Sequence, residues 1–377
     1  VNRADRGEVE TTARTAATLK RFAIDWSAMV LRIALLGVCL GMVAQAQRNS
    51  FEPGQVWLDT EGKPIQAHAA GILVRNGVYY WYGQDMTFGA ENKVGVSCYS
   101  SRDLYNWKRE GTALPKEALP EQFRDTGVCE RPKVLFNERT GKYVMWMHLD
   151  ADKYTVSEAG VAVADKPEGP FRFVRRFRPL KYDYGYKPDC CNQRELGNTF
   201  RDMNLFLDDD GRAYVFYASE HNRTMYVARL NEDFTGIEEP AVLGKTWARI
   251  LIGEEREAPA PFKYQGKYYL FTSGCTGWLP NKAALSVASN PLGPYVTQKE
   301  YPMVGPDAEL TFRAQSTFVL PVQGKPGAFI LLLDRWNPKQ LSESRYVWLP
   351  FRVAADGTVR VVWRDRWDLS VFDKELR

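Results

Sequence analysis

From residue 53 onward the chain consists of short apolar runs broken by Gly, Pro and Asp, with little at helical period. One pattern recurs five times. A turn ending in Gly leads into an aromatic-rich strand in NGVYYWYG (76–83), TGKYVMW (140–146), DGRAYVFY (210–217), QGKYYLFT (265–272) and PGAFILLL (326–333). A short apolar strand precedes each turn (GILV, KVLF, MNLFL, APFKY and STFVL), so every unit opens as a β-hairpin. A third strand follows in each: VGVSCYS, AGVAVAD, MYVARL, AALSVAS and YVWLPF. The turn glycines Gly77, Gly141, Gly211, Gly266 and Gly327 lie 64, 70, 55 and 61 residues apart. A four-stranded unit repeated in one strand order predicts an all-β fold, a five-bladed β-propeller, as a single domain over 53–375. A β-sandwich has hairpins but does not repeat them in register. GQVWLDTEG (54–62) is the candidate for closing the ring.

In a propeller the innermost strands line a central channel, and their first residues face a pocket at one end. Counting back from the turn glycines puts His68-Ala69-Ala70, Glu130, Asp202, Glu257 and Gln315 at those starts. His68, Asp202 and Glu257 each stand nine residues before their glycine. Three carboxyl groups then share one pocket, where not all can ionise freely. One protonated carboxyl and a second group to activate water are the needs of glycoside hydrolysis. The competing reading is pairing of each acid with its neighbour, Arg131, Arg201 or Arg256. For the water, geometry favours Glu130, which lies on a blade not adjacent to that of Glu257. Gln315 is on an adjacent blade, and an amide is a poor base.

Composition narrows the partners. The net charge of +4 falls to +2 once residues 1–46, with six Lys/Arg and four Asp/Glu, are set aside. That balance gives no reason to expect nucleic acid or an anionic membrane. MVLRIALLGVCLGMVAQAQ from Met29 has the charged start, apolar run and Ala44-Gln45-Ala46 cleavage pattern of a signal peptide. Residues 29–46 are read as that peptide and 1–28 as upstream sequence, giving a secreted or periplasmic protein, off the membrane after cleavage and monomeric. Cys98, Cys129, Cys190, Cys191 and Cys275 follow without disulfide-scaffold or zinc spacing. His68, His148 and His221 are too dispersed for a metal cluster. LDDDG (207–211) reads as a turn cap, with a structural calcium ion left open and no cofactor expected. Trp81 alternates with core aromatics, whereas Trp278, and with it Trp336, is a candidate sugar platform.

The segments ERPKVLFN (130–137), RDMNLFLDDDGRAYVFYASEHN (201–222), REAPAPFKYQGKYYLFTSGCTGW (256–278), AQSTFVLP (314–321) and DRWNP with SRYVWLP (334–350) resemble glycoside hydrolase family 43. Within it they are most similar to the exo-β-1,3-galactanase branch. The resemblance implies an inverting, exo-acting hydrolase releasing galactose from the ends of galactan or arabinogalactan side chains. It also implies that Glu257 is the general acid, that Asp202 tunes it, and that Gln315 and Glu130 lie near water and sugar. Tyr154, Glu220, Asn222, Thr276 and Trp278 fall where that branch binds the terminal sugar, and His68 and Gln84 join them as candidate contacts. Two departures stand out: Ala69 and Ala70 replace the blade-one Asp of the wider family, and Gln84 replaces a Glu usual in the branch. An α-L-arabinofuranosidase or β-xylosidase on the same scaffold, and a non-catalytic glycan-binding propeller, are the alternatives.

Overall fold

In the computed structural model, residues 47–185 and 197–373 are described, all within the unit that begins at Gln47. The signal-peptide and upstream readings, and the adjacent Cys190 and Cys191, lie outside those residues. Five antiparallel sheets are arranged as five blades, with inner strands His68–Arg75, Val128–Asn137, Arg201–Leu207, Arg256–Tyr264 and Gln315–Pro321. Four blades have four strands. The fifth has three, Gln315–Pro321, Ala328–Arg335 and Arg345–Arg352, beside a small parallel pair, Met303–Val304 with Val361–Val362. The alternation of the repeats explains the packing, because one face of each sheet meets the blade before it and the other the blade after. Trp81 is fully buried and packs against Trp57, Trp107 and Trp348.

The hairpin turns set the register. Asn76-Gly77 and Gln265-Gly266 are two-residue turns with both residues at positive φ, the geometry that matches strand twist and that glycine allows at its second position. Blade three differs: Asp208 pairs with Arg212 through its backbone N–H, which leaves a three-residue turn.

That extra residue corrects the alignment read from glycine spacing. Counting six residues back from the pair that closes each hairpin gives Ala69, Arg131, Asp202, Ala258 and Ser316 as equivalent positions. His68, Glu130, Arg201, Glu257 and Gln315 form the position before. Asp202 therefore stands one step further along its blade than Glu130 and Glu257 do. Every inner strand carries a β-bulge at this point, and Ala69, Arg131, Asp202 and Ala258 all have positive φ there. A bulge turns two successive side chains toward one side of the sheet, so both positions can face the channel.

The bulges leave carbonyls unpaired in the channel, and buried polar side chains satisfy them. Lys133 Nζ donates to Ala69 O (2.9 Å), Thr317 Oγ1 to Ala70 O (2.9 Å), and Asn204 Nδ2 to Pro259 O and Thr317 O (2.8 and 2.9 Å). Buried carbonyls left without donors would be costly. These contacts fill the channel beneath the bulges and close the floor of the site. Among the described residues no helix is long and apolar enough to cross a membrane.

Candidate active site

Above that floor lies a cavity of about 300 Å³, at the small end of the range for ligand sites. Blade starts supply Ala69, Glu130, Arg131, Arg201, Asp202, Glu257 and Gln315 to its wall. Loops add Tyr154, Asn222, Cys275, Gly277, Trp278 and Trp336, and the second strands of blades one and two contribute Gln84 and His148 near their ends.

Arg131 organises the centre. Its Nε pairs with Asp202 Oδ1 (2.8 Å), Nη2 donates to Gln315 Oε1 (2.7 Å) and Nη1 to Ser316 O (3.2 Å), so one buried guanidinium joins blades two, three and five. Asp202 Oδ2 also accepts the Ala258 N–H, which holds it beside Glu257. Glu257 is buried, and its Oε1 accepts from Gln315 Nε2 at 2.9 Å. Burial first, then the negative charge of Asp202, push the Glu257 carboxyl up to about 8, against the opposing pull of Arg131, Cys275 and Gln315. At neutral pH this group is a protonated acid. Gln315 has one possible orientation: its Oε1 also receives Trp336 Nε1 (2.9 Å), and both Arg and indole only donate.

Glu130 belongs to a second network. Its Oε1 accepts from Tyr154 Oη (2.6 Å), and its Oε2 faces His148 Nδ1 at 3.1 Å. The other imidazole nitrogen faces Asp150 Oδ2 at 3.1 Å. Burial alone would lower the His148 pKa, but the hydrogen bonds and charges of Asp150 and Glu130 outweigh it and raise it to about 9. Glu130, His148 and Asp202 bring ligand-type atoms within 4.8 Å of one another. Asp202 is paired with Arg131, and Glu130 with Tyr154 and His148.

Nine sequence-predicted residues line the cavity: Glu257, Asp202, Glu130, Gln315, Gln84, Tyr154, Asn222, Trp278 and Trp336. Three do not. His68 is fully buried between blades one and five, with Nδ1 3.2 Å from Asp334 and its ring stacked on Tyr346. Glu220 is buried under a bidentate pair with Arg249 (2.6 and 2.9 Å), off the cavity wall. Thr276 turns its hydroxyl to Leu279 O (2.6 Å), inside its own loop. Of the three arginines read as partners of their neighbouring acids, Arg131 pairs with an acid, but with Asp202 of the next blade rather than with Glu130. Arg201 instead donates to Ser157 Oγ and Tyr154 O, and Arg256 to Thr272, the last off the wall. The second network, His148 with Asp150, was missed; its only sequence signal is a His and an Asp two apart at a strand end.

The sequence profile of glycosyl hydrolases family 43 matches residues 63–358. A xylosidase/arabinosidase of Bacteroides ovatus is 28% identical over 55% of this chain and 66% of its own length. The chain spans two thirds or less of such curated relatives. A β-1,3-galactosidase solved with galactodeoxynojirimycin is 40% identical with a TM-score of 0.77, covering 85% of this chain and all of that one. An exo-β-1,3-galactanase of Phanerochaete chrysosporium, solved with β-1,3-galactotriose, is 34% identical with a TM-score of 0.73, over 85% of this chain and 68% of that one.

Proposed function

This chain belongs to family 43 of the glycosyl hydrolases, and from that premise we propose that it cleaves terminal β-1,3-linked galactose from galactan or arabinogalactan side chains, with inversion. The observation that carries the reading is a buried carboxyl held protonated to about pH 8 beside a second carboxylate, in a cavity of about 300 Å³. The likeness to a β-1,3-galactosidase and an exo-β-1,3-galactanase supports galactose as the sugar. A xylosidase or arabinofuranosidase activity is the second reading, favoured by the name of the Bacteroides ovatus relative. Export through the signal peptide at 29–46 belongs to the same proposal.

In the proposed reaction Glu257 gives its proton to the glycosidic oxygen as the C1–O bond breaks. A water attacks C1 from the opposite face and loses its proton to an acceptor across the cavity. Gln315 lies against Glu257 itself, and its amide oxygen already holds two donors. Glu130 is an ionisable acceptor two blades away, although its oxygens are engaged by Tyr154 and His148. We assign the water to Glu130 and the holding of Glu257 to Gln315.

Incubation with β-1,3-galactan and with nitrophenyl galactoside, xyloside and arabinofuranoside identifies the sugar. Proton NMR before mutarotation should show α-galactose as first product; β-galactose would mean retention and end the mechanism. Glu130→Gln should lose turnover. If it keeps most of its turnover while Gln315→Ala is dead, the water belongs to Gln315.

A further inference from the structure

The acid is surrounded as though it were already ionised. Glu257 Oε1 faces Gln315 Nε2, and Oε2 faces Asn222 Nδ2 at 3.1 Å, so both oxygens meet N–H donors. A protonated carboxyl cannot accept equally at both, because its own O–H must donate to something. Gln315 cannot turn to receive that proton, since Arg131 and Trp336 fix its oxygen. Asn222 can. Its Oδ1 is buried and has no hydrogen-bond partner, an arrangement that costs free energy for as long as it lasts. Rotating the amide by half a turn brings that oxygen to Glu257 Oε2 and supplies a stronger acceptor than the sulfur of Cys275, the other group hydrogen-bonded to the carboxyl. Oxygen and nitrogen of an amide are assigned from such networks.

The backbone that delivers Asn222 points the same way. Glu220, His221 and Asn222 have φ of 51°, 57° and 63°, three consecutive left-handed residues in the turn between Ala213–Ser219 and Thr224–Arg229. Such a run is strained for any residue but Gly or Asn and persists only where its surroundings hold it. Here the hold is Glu220, whose carboxylate takes both Arg249 nitrogens and the Tyr226 hydroxyl (2.8 Å). The clamp on blade three carries the Asn222 amide across to the acid of blade four.

We propose that Asn222 is the positioning residue for the acid's proton, accepting the Glu257 O–H through Oδ1 in the resting enzyme. After that proton has passed to the glycosidic oxygen, the amide turns and Nδ2 donates to the carboxylate left behind. Glu220 and Arg249 hold it in place for both states. The proposal rests on Glu257 being the general acid.

The test compares natural β-1,3-galactan with an aryl galactoside whose leaving group needs no protonation. Asn222→Gly suits the left-handed backbone and should fold. It should lose roughly ten- to hundred-fold in kcat on galactan, the worth of a hydrogen bond to a charged group, and clearly less in kcat on the aryl substrate. Equal loss on both, carried by KM, would mean a sugar contact only and overturn the proposal. Neutron diffraction of the wild-type protein gives a readout free of activity. Oδ1 should face Glu257 well below its ionisation near pH 8, and Nδ2 well above it; one orientation at both overturns the proposal. Glu257→Gln losing equally on both substrates would instead remove the acid assignment, so the two failures are distinguishable.

Discussion

Arg131 and Asp202 decide how Glu257 behaves. Asp202 raises the acid and Arg131 lowers it, and the two are bound to each other, so neither can be changed without altering the other's effect on Glu257. Activity that depends on a protonated Glu257 should fall as pH rises through about 8. Asp202→Asn removes the nearby negative charge and leaves the Arg131 charge unopposed; both changes favour ionised Glu257. The alkaline limb should therefore move to lower pH by ~1 unit or more, read from kcat/KM profiles on galactan. A limb that stays put would confine Asp202 to packing. The acids at the blade starts were legible because a repeat makes equivalent residues converge. The roles of His68 and Glu220 were not, because partners distant in sequence take them up: Asp334 of blade five faces His68, and the Arg249 that pairs with Glu220 lies 29 residues away on another strand.

At the level of elements, the end of Lys142–Asp150 and the loop after it behave as one piece. Asp150 accepts from the Ala151 and Val156 N–H groups and from Ser157 Oγ, and Ser157 Oγ in turn receives Arg201 of blade three. His148 stands between Asp150 and Glu130, with Tyr154 and, on the neighbouring blade, Arg201 and Asp202 closing around it. Its pKa is raised from 6.5 to about 9, so the folded state binds the proton more tightly than the unfolded chain. That contribution is complete below about pH 6.5 and is lost as pH rises toward 9. Burial first raises the Asp150 pKa, but His148 and the loop N–H groups bring it down from 3.8 to about 2; its contribution is present above 3.8 and lost as pH falls toward 2. Thermal stability of wild type should therefore decline between neutral pH and 9, with Glu257 adding to the fall up to about pH 8 and His148 carrying the rest, by a few kcal/mol at ~1.4 kcal/mol per pKa unit. His148→Gln should flatten that decline, and an equally steep decline in the variant would place its origin elsewhere. The repeat predicted the hairpins of this element but not its loop, since the loops between second and third strands (85–94, 151–157, 220–223, 275–283 and 336–344) differ in length and sequence from blade to blade. The one-residue slip at Asp202 has a similar origin: a turn longer by one residue imitates the nine-residue spacing of its neighbours.

The whole ring closes between blades five and one, and the closure reaches the active site. Phe51 forms an antiparallel bridge with Trp367 and stacks on it at 4.1 Å, and the Gly54 N–H donates to Tyr346 O, so the segment just before the expected 54–62 begins the seal. Trp57 then packs edge-on against Trp348 and Trp81, joining the two blades through one aromatic cluster. Below it Asp334 of blade five takes the Ala69 N–H (3.1 Å) and faces His68, fixing the blade-one bulge where the cavity wall begins. Gln315 and Trp336, which hold and flank the acid, stand on the blade-five side of that seam. Loosening the seam should therefore cost stability and geometry together. Trp348→Ala removes a fully buried indole, a change worth ~3–5 kcal/mol, and should lower Tm by on the order of 10 °C. A chain starting at residue 59 loses Phe51, Gly54 and Trp57 together and should melt lower still. Its activity should fall at temperatures where the wild type is fully folded, because blade five is no longer held against Ala69. Calorimetry beside galactan assays at one temperature measures both. If the truncated chain melts with the wild type, the seal lies in the sheet contacts alone; if it melts lower but keeps full activity while folded, the seam does not set the positions of Gln315 and Trp336.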